Sequence, residues 1–271
     1  MMNVTGAAVL VAMVALAACR PAGQTPTTEA TAGQELAATE GANQFAPQVV
    51  DSQAVEILRR SMDYLNGLQR FSVKTEIVTE DLLDTGDRVD YVAWGSVTVE
   101  RPNKLRGERH GVGFRQTLYF DGSTMTLADS ARNVYATKAA PGGIPDMFQM
   151  AYDSLDLAVP ISDLVWPDVF PLLMEDVSLA RVVGKEVVDG VICDHLVFSR
   201  PQVEFQIWIP DAGAPLPRKY LVSDRATPAM LTMGAILSDW KVNPRLSPDL
   251  FAFTPPKGAQ GVPFLNPETN Q

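Results

Sequence analysis

The sequence predicts an α+β fold in which one helix precedes a long run of antiparallel strands. Three observations carry that reading. Residues 51–68 repeat their apolar positions at a helical period, residues from Phe71 onward alternate at period two between short turns, and a proline-broken apolar stretch at residues 141–179 interrupts the alternation once. Runs joined by turns of a few residues pair antiparallel, because parallel pairing needs a long crossover between each pair of strands. No internal period marks a solenoid or a propeller.

The helix comes first. Asp51 or Ser52 is placed to cap its N-terminus, and Ala54, Leu58, Ser61 or Met62, Leu65 and Leu68 form a stripe at the helical repeat. Glu56, Arg59, Arg60 and Asp63 fall on the wet side, and Asn66-Gly67 ends the helix. Strands are then expected over residues 71–82 and 88–100, with the Asp-Thr-Gly-Asp turn of residues 84–87 between them. Further strands follow over residues 104–110, 114–120, 124–127 and 133–139, with Asp121-Gly122 as one of the turns. Beyond the interruption, Asp189-Gly190 joins residues 181–188 to residues 191–199. Runs over residues 203–209, 218–224 and 230–239, and a last short strand Phe251-Ala-Phe253, complete the set.

The interruption reads as short helices. Ile144, Met147, Phe148, Met150 and Ala151 share one helical face, and Leu164, Val165, Trp166, Phe170, Leu172 and Leu173 make a second apolar group. Prolines at 145, 160, 167 and 171 keep each piece short, and helices of that length need an apolar surface to lie on. Two roles fit the pattern: a plug that completes the core, or a lid over a cavity with methionine as adaptable lining.

Residues 1–19 contain an apolar run from Gly6 to Ala18, shorter than the roughly 20 residues a spanning helix needs, so they read as an export signal. The run ends in Leu-Ala-Ala-Cys19, which resembles the bacterial lipobox and makes Cys19 the expected lipidation site. Cleavage by an ordinary signal peptidase in the Ala-rich end would instead release a soluble periplasmic product. Residues 20–50 are rich in Thr, Ala, Gly, Pro and Glu and poor in large apolar side chains, the composition of a disordered tether. The folded domain is expected over residues 51–265, with residues 266–271 as a tail. Arg20 after the cysteine, by resemblance to Gram-negative sorting behaviour, implies an outer-membrane anchor facing the periplasm.

A formal charge of -10 over 271 residues argues against nucleic acid as partner. Cys193 and His195 stand two apart in a strand and so face the same way, but a thiol-base pair or a metal site needs a third group that the sequence does not identify. Cys193 reads better as a buried apolar residue. Glu80, Asp81, Asp84, Asp87 and Asp90 flank a turn and read as solvated. No nucleophile elbow, P-loop or dinucleotide fingerprint is present, so no cofactor, metal or enzyme activity is expected.

Three motifs, GSVTVERPNKLR at residues 95–106, YFDGSTMTLAD at residues 119–129 and LFAFTPPKGA at residues 250–259, occur in this order. In that arrangement the chain resembles the LolA/LolB family of lipoprotein carriers and receptors over residues 53–264. It is similar most of all to a family of predicted periplasmic proteins with the same fold. The resemblance implies an incomplete antiparallel β-barrel wrapped around helices, with an apolar cavity that accepts acyl chains and a helical lid over residues 141–179. It also implies that Arg101, in its Arg-Pro-Asn element, hydrogen-bonds the lid and latches it, a role that five donors in a rigid fork can fill.

Tyr91, Val97, Val99, Phe114, Ile207, Trp208 and Trp240 are the candidate cavity lining, although alternation alone does not say which face is inward. Ile144, Met147, Phe148, Leu164, Trp166 and Phe170 are the candidate lid residues. The expected function is a monomeric lipoprotein, anchored to the membrane by its acyl chains, that binds a lipid or acylated ligand in lipid or lipoprotein trafficking. The alternative is an envelope sensor or interaction module whose cavity is filled and whose partners are other envelope proteins.

Overall fold

A computed structural model describes residues 49–155 and 161–264. The expectations for the export signal, for Cys19 and for most of the tether lie outside the described residues, as do those for residues 266–271. The described chain starts with α1 (Ser52–Asn66) and runs through β1 (Arg70–Leu82), β2 (Arg88–Glu100), β3 (Lys104–Gly111), β4 (Phe114–Phe120), β5 (Thr124–Asp129) and β6 (Val134–Ala139). Then come α2 (Ile144–Leu155), α3 (Ser162–Val165) and α4 (Val169–Met174). A second set follows: β7 (Leu179–Val188), β8 (Val191–Ser199), β9 (Val203–Pro210), β10 (Lys219–Asp224), β11 (Thr232–Val242) and β12 (Gln260–Gly261).

All twelve strands form one sheet, in the order β12-β6-β5-β4-β3-β2-β1-β11-β10-β9-β8-β7. Two antiparallel meanders are thus joined where β1 pairs with β11. The sheet does not close, since β7 and β12 are its two edges, and it is an open sheet of mixed α+β class. Val50, expected in the tether, bridges Ala180 on β7, and Asp51 N donates to Ala180 O at 2.9 Å, so the chain covers part of that edge as it enters α1.

Register fixes the two faces, because directly opposed residues point the same way. One inner row runs Phe71, Val99, Leu105, Phe120 and Met125 across β1 to β5. Another runs Val182, Leu196, Ile207, Tyr220, Ala235 and Ile77 across β7 to β1. Against this face lies α1, started by Asp51, whose side chain accepts from Gln53 N at 2.8 Å. Its buried residues are Ala54, Ile57, Leu58, Ser61, Met62 and Leu65. The apolar residues of α2, α3 and α4 join α1 and the inner rows in one continuous hydrophobic cluster. Each large side chain buried there contributes about 1.5–3 kcal/mol, which is what holds helices as short as α3 and α4.

The C-terminal expectation is corrected. Phe251-Ala-Phe253 is not a strand: a 3-10 turn occupies Pro248–Leu250, and Pro255 and Pro256 lack the N–H groups a ladder needs. The segment crosses the outer face instead, with the Phe253 ring 5.3 Å from Tyr119 and 5.0 Å from Tyr135, and reaches β6 as the parallel strand β12.

Candidate functional site

Arg101 follows the last residue of β2, where the alternating run stops. Its backbone N donates to Gln69 O at 2.9 Å, Nε donates to Leu68 O at 3.2 Å and Nη1 donates to Val165 O at 2.9 Å. Val165 ends α3, so this bond satisfies one of the carbonyls that a helix C-terminus leaves without an internal partner. Burial lowers the guanidinium pKa from its ordinary value, and the Phe71 ring lies 5.9 Å from its Cζ. The next residue touches the same insert, since Pro102 O accepts from Ile144 N at 3.0 Å at the start of α2. Asn103 packs onto Gly122, where a Cβ would lie 2.4 Å from its Nδ2 and where φ is +98°, so only glycine fits.

A second Arg-Pro pair was not singled out by sequence. Arg200, before Pro201 at the end of β8, donates from Nη1 to Leu172 O in α4 at 3.2 Å and stands 3.9 Å from Glu175. The signal was available, because the same dipeptide closes two apolar strands. Three further contacts hold the insert. Tyr220 Oη donates to Asp163 Oδ2 at 3.2 Å, Asn66 Oδ1 accepts from Asp168 N at 3.1 Å, and the Arg59 Cζ lies 4.1 Å from the centre of the Phe170 ring. Arg59 is thus exposed, as its place on the wet side of α1 predicts, yet it covers an aromatic ring of α4. Burial pushes the Asp163 carboxyl up and the Tyr220 hydroxyl well up from their ordinary values.

The structure divides the sequence-predicted lining residues. Val99 and Ile207 are fully buried on the inner face, and Val97 packs half-buried beside them. Trp240 is half-buried, 5.8 Å from the Phe71 ring, with Nε1 donating to Pro217 O at 2.9 Å. Tyr91 and Phe114 have the inner-face phase but sit toward the far ends of their strands, where Tyr91 is 48 % exposed. Trp208 belongs to the outer face. Adjacent strand residues point oppositely, so Ile207 inward puts Trp208 outward. There it stacks on His195 at 4.1 Å, donates to Glu186 at 2.9 Å and lies under Lys219. Of the lid residues, Ile144, Met147, Phe148, Leu164 and Phe170 are buried, and half-buried Trp166 stacks on Phe148 with centroids 6.4 Å apart.

Cys193 and His195 share the outer face, as their spacing predicts. His195 lies between Glu186 Oε1 at 3.0 Å and Gln206 Oε1 at 2.8 Å. Burial pushes the Cys193 thiol up, the opposite of what a nucleophile requires. A cavity of about 300 Å³ also lies on the outer face, between Tyr119, Tyr135, Phe251 and Phe253, away from every predicted lining residue.

Two residues beyond Val97, the inner-face row of β2 to β5 carries no apolar side chain. Gly95 on β2, Arg109 on β3, Gln116 on β4 and Asp129 on β5 stand opposite one another.

The chain is similar in outline to several solved structures. The lipoprotein LppX of Mycobacterium tuberculosis is 14 % identical with a TM-score of 0.46, over 73 % of this chain and 99 % of that one. A LolA superfamily protein of Nitrosomonas europaea is 13 % identical with a TM-score of 0.37, over 76 % and 99 %. MucB, in the MucA/MucB complex of Pseudomonas aeruginosa, is 15 % identical with a TM-score of 0.39, over 75 % and 62 %. These likenesses describe an outline and nothing finer. No protein of curated function matches the chain. Among the described residues no helix is long and apolar enough to cross a membrane. A family model described as "Predicted periplasmic protein (DUF2092)" matches residues 54–265, and the chain belongs to that family.

Proposed function

We propose that this chain is an envelope binding protein that takes an acyl chain or similar apolar ligand between the inner face of the sheet and the helical roof of α2 to α4. In this reading residues 1–19 export it, Cys19 carries the lipid anchor, residues 20–48 tether it, and the domain faces the periplasm from the outer membrane as a monomer. The observation that carries the reading is the Arg101 guanidinium, which bridges Leu68 O and Val165 O and so ties the roof to the α1–β1 corner. Arg200 ties α4 to the end of β8 in the same way.

The energetics favour a roof that lifts. Each of these hydrogen bonds contributes about 1–3 kcal/mol, being made by a charged donor, and α3 and α4 have no length to stand alone. Burying about ten methylenes of an acyl chain supplies roughly 8 kcal/mol, enough to offset both latches. In the closed form the side chains of Phe148, Leu164 and Phe170 take the place of the ligand. Extraction of the purified full chain followed by mass spectrometry is expected to yield a stoichiometric non-covalent lipid. Delipidated protein is expected to take up a fluorescent fatty acid, with kinetics altered by Arg101→Leu. A clean extract together with no uptake would end the reading, and unchanged kinetics in the variant would remove the latch.

One observation favours a second reading, an interaction module: the inner face and the roof already form a single cluster. That reading expects no uptake under any treatment and a partner in the envelope that binds the roof's outer side.

A further inference from the structure

Arg109 is the one cationic residue in an inner-face row that runs Leu237, Thr75, Gly95, Arg109, Gln116, Asp129 and Val134 from β11 through β1 to β6. It shares this face with Leu105, four residues away, which register places in the buried apolar row. Its Nε donates to Gln116 Oε1 at 2.8 Å, and the Phe114 ring lies 5.7 Å from its Cζ. Neither Nη makes a hydrogen bond among the described residues, so most of a five-donor fork is unspent.

The carboxylate in the same row does not use it. Asp129 is buried, with Oδ1 accepting from Ala131 N at 3.0 Å and Arg132 N at 3.2 Å, and Oδ2 accepting from Arg132 Nη1 at 2.9 Å. Arg109 is both exposed and crowded enough for burial to lower its pKa, with Asp129 pulling the other way.

Between Arg109 and the apolar row, β3 itself carries no side chain on the inner face. Gly107 sits opposite Val97 and Leu118, and a Cβ there would find nothing nearer than 3.9 Å. Gly95 offers no side chain either, since a Cβ there would lie 1.8 Å from Glu108 O. The distance along β3 from Arg109 to Leu105 is about 13 Å at strand rise. The sequence of surfaces is therefore an exposed cationic fork beside Gly95, a single glycine between Val97 and Leu118, and an apolar row that joins the roof.

We propose that Arg109 anchors the head of the ligand, which is an amphiphile with an anionic carboxylate or phosphate at one end and an acyl chain running over Gly107 toward Val99 and Leu105. This rests on the apolar-ligand reading above and adds to it a headgroup class. A planar fork pairs with two oxygens at once, which a neutral ester or alcohol head does not match. In a chain of net charge -10 an anionic ligand is otherwise repelled, so a dedicated cation is what such a ligand requires.

The test is competition against an uncharged fluorescent acyl probe on the delipidated full chain, with palmitate, its neutral monoacylglycerol and inorganic phosphate as competitors. Palmitate is expected to bind about tenfold tighter than the neutral ester, and phosphate alone to compete weakly. Arg109→Gln should bring palmitate to the level of the neutral ester and leave the ester unchanged, and Arg109→Lys should retain part of the preference. Equal binding of the two lipids by the native chain, or a preference that survives Arg109→Gln, overturns the headgroup assignment while leaving the apolar site intact. Phosphate competing as well as palmitate would also overturn it, in favour of a plain anion site. Failure of the probe and both lipids to bind overturns the apolar-ligand reading itself. Should Arg109→Gln not fold, the salt dependence of native binding decides: palmitate must weaken with salt and the neutral ester must not.

Discussion

Arg101 and Arg200 each supply a donor to a carbonyl of a helix too short to keep its own ends ordered. Arg101→Leu leaves Leu68 O and Val165 O without that donor, and stranding part-buried acceptors costs about 1–3 kcal/mol. A lower urea midpoint and faster amide exchange over residues 162–165 are the expected outcomes. Lysine cannot replace the fork, so Arg101→Lys should recover only part of the loss. Asp163 carries a pH prediction. Burial holds its carboxyl above the ordinary value of 3.8, so the folded state retains a proton that the unfolded state has released. Its contribution to stability is therefore greatest in acid, falls as pH rises from that ordinary value through the raised native one, and then levels off. Stability of the native chain relative to Asp163→Asn should fall from pH 4 to 7, measured by urea unfolding at each pH. A difference that is flat or rises with pH contradicts the assignment. Arg101 was legible in the sequence because a permanent charge followed by proline interrupts an apolar alternation. Arg200 has the same signature and went unread, and Trp208 was misplaced because composition cannot say which of two neighbours on a buried strand turns inward.

At the scale of elements, local chemistry was legible wherever a period met its punctuation. The α1 stripe and the Asp-Gly and Thr-Gly turns place the helix and most hairpins within a residue or two. The final aromatic pair failed for a physical reason: alternation of Phe251 and Phe253 looks like a strand, but prolines deny it a ladder and the rings are used to staple the outer face. Two elements bear predictions. At Gly95 the strands approach so closely that a methyl group collides with the Glu108 backbone, so Gly95→Ala should cost about 3 kcal/mol, the upper end for overpacking, in urea unfolding. In the roof, Ile161, Asp168 and Asp176 are held at φ of 57°, 51° and 55°, a region that costs L-residues about 1–2 kcal/mol each. Asp168 is exposed and its side chain caps nothing, so Asp168→Gly relieves strain at little loss of contact. The offset from added freedom of the unfolded chain leaves a gain of up to about 1 kcal/mol, visible as a higher urea midpoint. A fall in the midpoint would mean the roof is not strained at that turn.

At the scale of the molecule, the pairing of β1 with β11 turns two meanders into one curved sheet, and nothing local announces it, because it joins residues about 160 apart in the chain. The parallel pairing of β12 with β6 is equally silent. Long-range pairing decides which face packs against the helices, and alternation within a strand does not carry that information, so the candidate lining residues fall on both faces. The same architecture yields a test of whether roof and ligand compete. A ligand at a hundred times its Kd stabilises the folded state by about 2.7 kcal/mol, and for a domain of this size that raises the Tm by about 5–10 °C. If binding lifts α3 off Arg101, the latch is intact only in the free protein. Arg101→Leu then costs the free form the Val165 bond that the bound form has already given up, about 1–3 kcal/mol more than it costs the bound form, while loss of the Leu68 bond is common to both. Linkage requires the variant to bind palmitate tighter by the same free energy, tenfold for each 1.4 kcal/mol, and to show the larger thermal shift of the two proteins. Melting of apo and saturated forms of both chains reads this directly. Bound forms that differ less in melting than the free forms do establish a latch that opens on binding, whereas equal shifts in the two proteins would place Arg101 among the static supports of the fold.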